Sequence, residues 1–254
     1  MTKANKPRGY VIYSGPSLID GQPIIAVALP AKSRNTKTGG MLQTYIMRSD
    51  IDPRDASKSG ADFSICGNCP HRGVPSADPN RKQAERRSCY VLLGQGPRMV
   101  YQGYAAGQYV AAEGHAAIAE IGRGRRVRLG TYGDPAAVPS YVWESLISEA
   151  DGHTAYSHQS GMAGADVRPD MFMMSADTLD AARTYWADGK RTFRVISDVS
   201  EVQQTEVICP ASEEGGRRTQ CERCGLCAGS AIAAKSIAIV AHGAGRSHAA
   251  ANVQ

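Results

Sequence analysis

Apolar and polar residues alternate along the N-terminal part of the chain in the manner of β-strands. The segment YVIYSGPSLIDGQPIIAVAL, residues 10–29, is divided by Asp20-Gly21, a dipeptide typical of tight hairpins, and it predicts two paired strands. After the polar, glycine-rich loop SRNTKTGG, the segment MLQTYIM returns to the same alternation. Residues 1–60 are therefore predicted to form a set of N-terminal strands.

From residue 127 onward, short apolar strands alternate with helical segments. Pro139 is expected to open the helix SYVWESLISEA, and a second helix runs from Asp177 to Asp188 with Asp177 or Thr178 as its N-cap. The predicted strands are VRLGTYG, HTAYSH, MFMMSA, RTFRVIS, TEVICP and SIAIVAHG. This alternation is typical of βαβ units around a parallel sheet. It predicts the α/β class, as a small or incomplete (β/α) barrel with metal-binding cysteine loops.

The segment between these halves shows little periodicity and is rich in Pro, Gly, Ser and Asp. A loop this long inside a compact domain needs something to order it, and three cysteines lie within it. We therefore predict one α/β domain over residues 1–254. Its parts are the N-terminal strands, a cysteine-containing metal loop at 61–95, and βα repeats at 120–245 that carry a four-cysteine metal site.

Composition limits the cellular setting. The chain has 254 residues, 42% of them hydrophobic, so it can bury a sizeable core. No apolar run approaches the ~20 residues that span a bilayer, and the basic start MTKANKPRGY lacks the apolar segment of a signal peptide. We expect no membrane partner and a cytoplasmic location, where thiols stay reduced. Seven cysteines in such a compartment indicate metal binding.

The C-terminal cysteines form the clearer of two metal motifs. Cys209 is followed by eleven residues and then by two successive C-x2-C steps; the ligands are Cys209, Cys221, Cys224 and Cys227. A C-x2-C turn lets two sulfurs converge on one metal centre. Zinc and a 4Fe-4S cluster share this ligand set, and the spacing does not separate them.

The N-terminal group is Cys66, Cys69 and Cys89, with His71 close behind the second cysteine. The four residues would complete a Cys3His zinc site. Alternatively, the three cysteines hold an iron–sulfur cluster with one iron open to substrate or cofactor, and His71 is an ordinary loop histidine. The C-x3-C-x2-C motif of standard radical S-adenosylmethionine enzymes does not occur in the chain.

Three polar residues follow predicted strands and are candidates for catalysis. Asp134 follows the strand VRLGTYG, His158 ends HTAYSH, and Asp177 follows MFMMSA. The carboxyl ends of parallel strands carry the active sites of α/β proteins, so these side chains are expected to share one pocket. Two carboxylates there could serve as nucleophile and general acid/base. The simpler alternatives are a turn at Asp134, a core histidine at His158 and an N-cap at Asp177.

Clusters of basic residues favour a polyanionic partner such as DNA or RNA. One cluster precedes Cys89, and a second comprises Arg123, Arg125 and Arg126 with Arg128. Lys37, in the polar loop, is expected to contact a nucleic-acid backbone. The alternative is a solvated basic face, and the net charge of +5 is modest.

Most of the chain, from about residue 10 to 230, carries a family resemblance. The segments KTGGMLQTYIM, CGNCPHR, CYV, VRLGTYGDPAAVP, YSHQ, CPASEEGG and CERCGLC resemble those of uncharacterised cysteine-rich proteins of phages and prophage-bearing bacteria. The resemblance implies that the protein acts in a phage-infected or prophage-bearing host cell.

More distantly, a barrel with a cysteine site after a late strand is similar to the tRNA-guanine transglycosylases. Their phage-borne relatives insert 7-deazaguanine bases into DNA. That family uses one aspartate as nucleophile and another as base, which implies these roles for Asp134 and Asp177. This chain departs from the family in its all-cysteine spacing, its shortness and its second cysteine group.

Three functions remain open from the sequence. The first is a nucleic-acid-modifying metalloenzyme, a base-exchange glycosyl transferase that places a modified-base precursor into DNA. The second is an iron–sulfur, radical-type enzyme that uses Cys66, Cys69 and Cys89. The third is a zinc-stabilised nucleic-acid-binding protein without catalysis.

Overall fold

A computed structural model describes residues 7–31, 35–243 and 245–252. The strands in these ranges are β1 Tyr10–Pro16, β2 Pro23–Leu29, β3 Leu42–Arg48, β4 Val110–Ala111, β5 Arg126–Tyr132, β6 Gly152–Thr154, β7 Tyr156–Ser157, β8 Met173–Ala176, β9 Thr192–Ile196, β10 Glu206–Ile208 and β11 Ser236–Val240. The α-helices are α1 Pro53–Ser59, α2 Phe63–Cys66, α3 Gly96–Ala105, α4 His115–Gly122, α5 Ser140–Ile147, α6 Leu179–Ala187, α7 Cys221–Cys224 and α8 Arg246–Asn252.

The first sheet has six strands in the order β4-β1-β2-β3-β5-β6. Strands β1 and β2 form the hairpin expected around Asp20-Gly21, with Pro16 opposite Pro23. Gly21 has a φ of 75°, a left-handed conformation that the turn requires and that glycine adopts without strain. Strand β3 continues the antiparallel series, and β5 and β6 then run parallel to it.

The second sheet is wholly parallel, with five strands in the order β10-β11-β9-β8-β7. Only Ala155 separates β6, in the first sheet, from β7, in the second. Its N–H donates to the carbonyl of Cys227 at 3.0 Å, and its carbonyl accepts from Met173 N at 3.0 Å. One extended segment therefore passes from sheet to sheet, and the strands described from β3 onward all run in the same direction.

These elements confirm the α/β class. The described strands form two sheets and no closed barrel, because β4 and β10 are outer strands that pair with no common neighbour. Helices α5 and α6 lie where the alternation predicted them. Thr178 is the N-cap of α6, since its hydroxyl accepts from Ala181 N at 3.1 Å. That leaves Asp177 available for another role.

Several helices were not predicted from the sequence. Helices α1 and α2 lie in the segment interpreted as loop, and α3 and α4 precede β5. Helix α3 begins with Gly96-Pro97 and contains Gly103, which weakens its helical signal. It forms because Val100 packs into the core beside β3. None of the helices described is long and apolar enough to cross a membrane.

Two apolar clusters form the core. The larger lies under the first sheet and includes Trp143, Phe172, Leu129 and Ile46 among its fully buried side chains. The smaller lies under the second sheet. Two cysteines of the C-terminal group belong to it, beside Met173, Ile237 and Ile239; they are Cys209 and Cys227.

A buried ion pair spans the second sheet and gives a test of this topology. Arg194 on β9 donates through Nε and Nη2 to both carboxylate oxygens of Glu206 on β10, at 2.9 and 2.6 Å, past the intervening β11. Removing one partner leaves a buried charge uncompensated, so Arg194→Met should lower the free energy of unfolding by about 3–5 kcal/mol. Urea unfolding measures the loss.

The matched control is Arg183→Met, which breaks the exposed pair with Asp180. An exposed pair of this kind contributes less than about 1 kcal/mol. Equal losses from the two variants would contradict the buried pairing across β9, β11 and β10.

Candidate active site at the ends of the parallel strands

A cavity of about 410 Å³ opens between the two sheets, where the carboxyl ends of the parallel strands meet. Its walls hold the ends of β5, β7 and β8 and an apolar surface from β9 and β11. All seven cysteines of the chain line it: Cys66, Cys69, Cys89, Cys209, Cys221, Cys224 and Cys227. Two motifs more than 100 residues apart in sequence therefore face one space.

A cluster of two histidines and one aspartate lies on the cavity wall. The ligand atoms of His71, His158 and Asp177 all fall within 4.8 Å of one another. Asp177 Oδ1 is 3.2 Å from His158 Nε2 and 3.6 Å from His71 Nε2. The other ring nitrogen of His71, Nδ1, is 2.8 Å from Ser88 Oγ. That bond fixes the ring so that Nε2 faces the cluster, an orientation common in metal-binding histidines.

The charges of this cluster follow from its neighbours. Burial lowers the pKa of His158, but Cys69 and the hydrogen bond to Asp177 outweigh it and hold that pKa well above its usual value. Burial raises the pKa of Asp177, but the hydrogen bond from His158 and the adjacent His71 outweigh it and hold that pKa well below its usual range. Both shifts favour the charged forms of the pair, an imidazolium at His158 and a carboxylate at Asp177.

The N-terminal cysteines are held against the end of β7 by Gln159. This side chain is fully buried. Its Nε2 donates to the carbonyl of Cys66 at 2.8 Å, and its Oε1 accepts from Asn68 N at 3.2 Å. Gly67, between them, has a φ of 48°, and a Cβ there would lie 2.0 Å from Gln159 Oε1. Because of this close approach, the Cys66–Cys69 turn can sit directly on the strand end.

Helices as well as side chains order the segment that was predicted to be a metal-ordered loop. Asp62 occupies the N-cap position of α2, and its Oδ1 accepts two hydrogen bonds from Arg72, at 3.1 and 2.6 Å. Burial raises the pKa of the Cys66 and Cys89 thiols. Metal coordination would offset the free-energy cost of ionising these buried thiols, because a bound cation stabilises the thiolate form.

The C-terminal cysteines are fixed by the loop that precedes β3. Cys221 N donates to the carbonyl of Lys37 at 2.9 Å, and Glu222 accepts from Gly40 N at 2.7 Å. Cys227 is buried, and burial raises the pKa of its thiol to about 12. The Lys37 loop supports this cysteine turn through its backbone, and Lys37 lines the cavity; its expected contact with nucleic acid stays a prediction. Ser33 and Arg34 of the same loop lie outside the described residues.

Asp134 is buried and fully engaged in hydrogen bonds. Its Oδ1 accepts from Ala136 N at 3.0 Å. Its Oδ2 accepts from His158 N at 2.8 Å and from Gln159 Nε2 at 3.1 Å. The carboxylate therefore joins the end of β5 to the end of β7. This geometry favours the structural alternative for Asp134 over the role of nucleophile, whereas Asp177 faces the cavity with His158.

The second basic cluster does not lie as one patch at the cavity mouth. Arg123 pairs with Glu120 and Glu149, each at 2.7 Å. Arg125 donates to the carbonyl of Pro30, and Arg126 lies against the backbone of Gly152 and Gly225, at the amino end of β5. Of the four arginines in this cluster, only Arg128 lines the cavity.

Tyr132 and Thr154 are cavity residues that the sequence analysis did not single out, and it named Arg128 only as a member of a basic cluster. The available signal was the position of Arg128 within a strand whose neighbours Val127 and Leu129 are apolar. A charged side chain at such a position must find a partner or a ligand.

Comparison with protein-family models, with curated proteins and with solved structures finds no match for this chain.

The placement of Asp134 leads to a test of its role. Asp134→Asn keeps the shape but replaces one acceptor oxygen by an NH2 group, so neither orientation of the amide can accept both from Ala136 N and from the pair His158 N and Gln159 Nε2. We expect a loss of about 1–3 kcal/mol in the free energy of unfolding, measured with the metal content of each sample controlled.

Asp177→Asn is the comparison variant, because Asp177 is partly exposed to the cavity and supports no backbone N–H. It should change stability much less than Asp134→Asn does. An unchanged free energy of unfolding in Asp134→Asn would return this residue to the list of candidate nucleophiles.

Proposed function

We propose that this chain is a metalloenzyme whose reaction takes place in the cavity between two cysteine-ligated centres, and that these centres are iron–sulfur clusters. The observation that carries the proposal is the convergence of all seven cysteines on one cavity. A zinc site that only stabilises a fold needs no contact with a substrate-sized space. Redox or radical chemistry does need a centre that faces the substrate.

The distances between sulfur atoms also favour clusters. Tetrahedral zinc holds thiolates at ~2.3 Å, which brings their sulfurs to roughly 4 Å from one another. Across the described residues, which include every cysteine, no three sulfurs all lie within 4.8 Å of one another. A cluster binds each thiolate at a different iron and so accepts wider spacing.

The two groups differ in the number of ligands that they offer. Cys209, Cys221, Cys224 and Cys227 supply a full set of four thiolates, as in a closed cluster. Cys66, Cys69 and Cys89 supply three, which leaves one iron open to substrate or cofactor. The open centre would stand beside His158 and Asp177.

The histidines and Asp177 would manage protons next to that centre. The Asp177 carboxylate can accept a proton from a substrate atom, and His158, whose Nε2 lies 3.2 Å from Asp177 Oδ1, stabilises the ionised form of that carboxylate. His71 faces the same point through Nε2 and is held by Ser88. Partial burial of this cluster limits its contact with bulk water, which strengthens each of these interactions.

The incomplete-barrel interpretation fits this site. Strands β3, β5, β6, β7, β8, β9, β11 and β10 run parallel, and the short segment at Ala155 carries the series from one sheet into the next. Such a curved series gathers strand ends around a central space, as barrels do. The proposal thus treats the two sheets as one open (β/α) half-barrel.

Metal analysis of anaerobically purified protein tests the proposal. We expect iron and acid-labile sulfide together with broad visible absorption, and zinc only in trace amounts. Cys66→Ser and Cys224→Ser should each remove part of the iron, since each disrupts one centre. Colourless protein that contains stoichiometric zinc would contradict the iron–sulfur assignment.

Matched controls lie inside the same motifs. Asn68→Ser and Arg223→Ser change exposed residues between the ligands of each C-x2-C step. Both should retain wild-type iron. Equal loss of iron from a control and its neighbouring cysteine variant would show that the turn conformation, and not the thiol, determines metal content.

Action on nucleic acid is a second candidate, and a basic groove favours it. The groove is lined by Arg54, Arg81, Lys82 and Arg86, and Cys89 belongs to both the groove and the cavity. A phosphate backbone in the groove would bring a neighbouring nucleotide to the cavity mouth. In the base-exchange version, Asp177 rather than Asp134 would attack the sugar carbon. The departing base would take the bonding electrons and a proton from His158. An incoming base would then bond to the sugar carbon, give its N–H proton back to His158 and displace the Asp177 carboxylate.

Charge reversal in the groove tests this candidate. Arg81→Glu and Lys82→Glu should each weaken binding to single- or double-stranded DNA or RNA and reduce its salt dependence. Arg123→Glu, away from the groove, is the control and should bind as the wild type does. Absence of binding at low salt by the metal-loaded wild type would remove nucleic acid as a partner and leave the small-molecule metalloenzyme.

A further inference from the structure

Four buried polar atoms in the described part of the chain have no hydrogen-bond partner. They are His71 Nε2, Arg128 Nε, Tyr132 Oη and Thr154 Oγ1. All four residues line the same cavity. An orphaned buried polar atom costs roughly 1–3 kcal/mol, and folded proteins keep few of them. His71 Nε2 lies 3.6 Å from Asp177 Oδ1, so the atoms of Arg128, Tyr132 and Thr154 are the ones left without a nearby partner. Their confinement to one cavity indicates that a ligand supplies the missing partners.

Arg128 and Thr154 form the deeper pair. They are directly opposite each other in the parallel register of β5 and β6, so their side chains are neighbours on one sheet face. Arg128 is 7% exposed and Thr154 is 2% exposed. Both present hydrogen-bond donors, an N–H and a hydroxyl, to the floor of the cavity.

The guanidinium of Arg128 lacks the partner that its charge requires. Its Nη2 donates to the phenol oxygen of Tyr90, and its carbon lies 5.7 Å from the ring centre of Tyr156. Among the described residues, no carboxylate lies within 4.0 Å of its nitrogens. Burying a guanidinium whose neighbours are a phenol oxygen and an aromatic ring costs free energy unless an anion binds beside it.

The rest of the cavity is apolar on the side of the second sheet. Phe193 and Val195 from β9 and Ile237 and Ile239 from β11 form that wall. A ligand with an anionic end and an apolar or planar body would match both parts. Arginine suits planar anions because its fork of N–H groups fits carboxylate and phosphate oxygens.

We propose that Arg128 and Thr154 form an anion subsite, and that the substrate carries a carboxylate or phosphate group that this subsite binds at the cavity floor. The inference adds the class of substrate to the proposed metalloenzyme. It rests on that proposed function only in treating the bound anion as part of a substrate. The subsite itself needs no metal.

Anion binding to the anaerobically purified protein tests the subsite. Inorganic phosphate and acetate are titrated separately by calorimetry at constant ionic strength, with chloride as the balancing salt. At least one of them should bind the wild type, and the stronger one identifies the group as phosphate or carboxylate. Arg128→Met should weaken that binding about tenfold or more, and Thr154→Val should weaken it by a smaller factor.

The control is Arg126→Met, which removes an equal charge two residues away on the same strand, outside the cavity. It should leave anion affinity unchanged. Without an anion, Arg128→Met should be at least as stable as the wild type, because it removes a buried charge that has no counter-ion. If Arg128→Met does not fold, the effect of Thr154→Val decides.

Three results would overturn the subsite. The first is a wild type that binds neither anion. The second is anion affinity that survives both variants or falls equally in Arg126→Met. The third is loss of iron from Arg128→Met with unchanged anion affinity, which would make Arg128 the counter-charge of Cys221 and Cys227. Failure of the metal assignment is distinguishable, because the iron and zinc content of each sample is measured separately from its anion affinity.

Discussion

The buried amide of Gln159 fixes the geometry on which the candidate site depends. It bonds to the carbonyl of Cys66, to the N–H of Asn68 and to the carboxylate of Asp134. Three segments distant in sequence are thereby held together at the end of β7. Each of these hydrogen bonds is shielded from water, so a missing partner would leave a buried polar group unsatisfied. This requirement keeps the N-terminal cysteines at the strand ends and not out in solvent.

The parallel strands explain why two unrelated cysteine motifs share one cavity. The N-terminal motif leaves β3 through α1 and α2, and the C-terminal motif follows β10. These strands belong to different sheets, yet they point the same way because β6 continues into β7 through Ala155. The carbonyl of Cys227 accepts the N–H of Ala155, so the C-terminal motif is bonded to the very segment that joins the sheets.

Charged side chains lie beside both cysteine groups of the cavity. The His158 imidazolium and the Asp177 carboxylate lie beside Cys69, and Arg128 lies near Cys221 and Cys227. Thiolates bound to metal would add negative charge at both places, and each has a buried cation close by. A substrate anion would compete with those thiolates for Arg128. Arg128 would therefore act either as the counter-charge of the C-terminal cysteines or as the anchor of a substrate anion, and binding of one would weaken binding of the other.

The sequence by itself determined the local elements and the types of ligand. Asp20-Gly21 specified the hairpin, the apolar alternation specified most strands, and the C-x2-C steps specified short turns at Cys66–Cys69 and Cys221–Cys224. The α/β class and the position of polar residues after strands also followed from the pattern, because these depend on neighbours along the chain. Helix α3 escaped prediction, since its glycines lower its helical propensity and only packing against β3 stabilises it.

Tertiary structure alone decided which polar residues act together. Asp134 and Asp177 look alike in sequence, each following a strand. Contacts with residues 24 and 25 positions away occupy the first, while the second pairs with His158 in the cavity. Arg123 and Arg128 belong to one basic run, but strand geometry turns one toward Glu120 and Glu149 and the other into the cavity floor. A side chain's role depends on burial and on partners brought from elsewhere in the fold, and no local pattern contains that information.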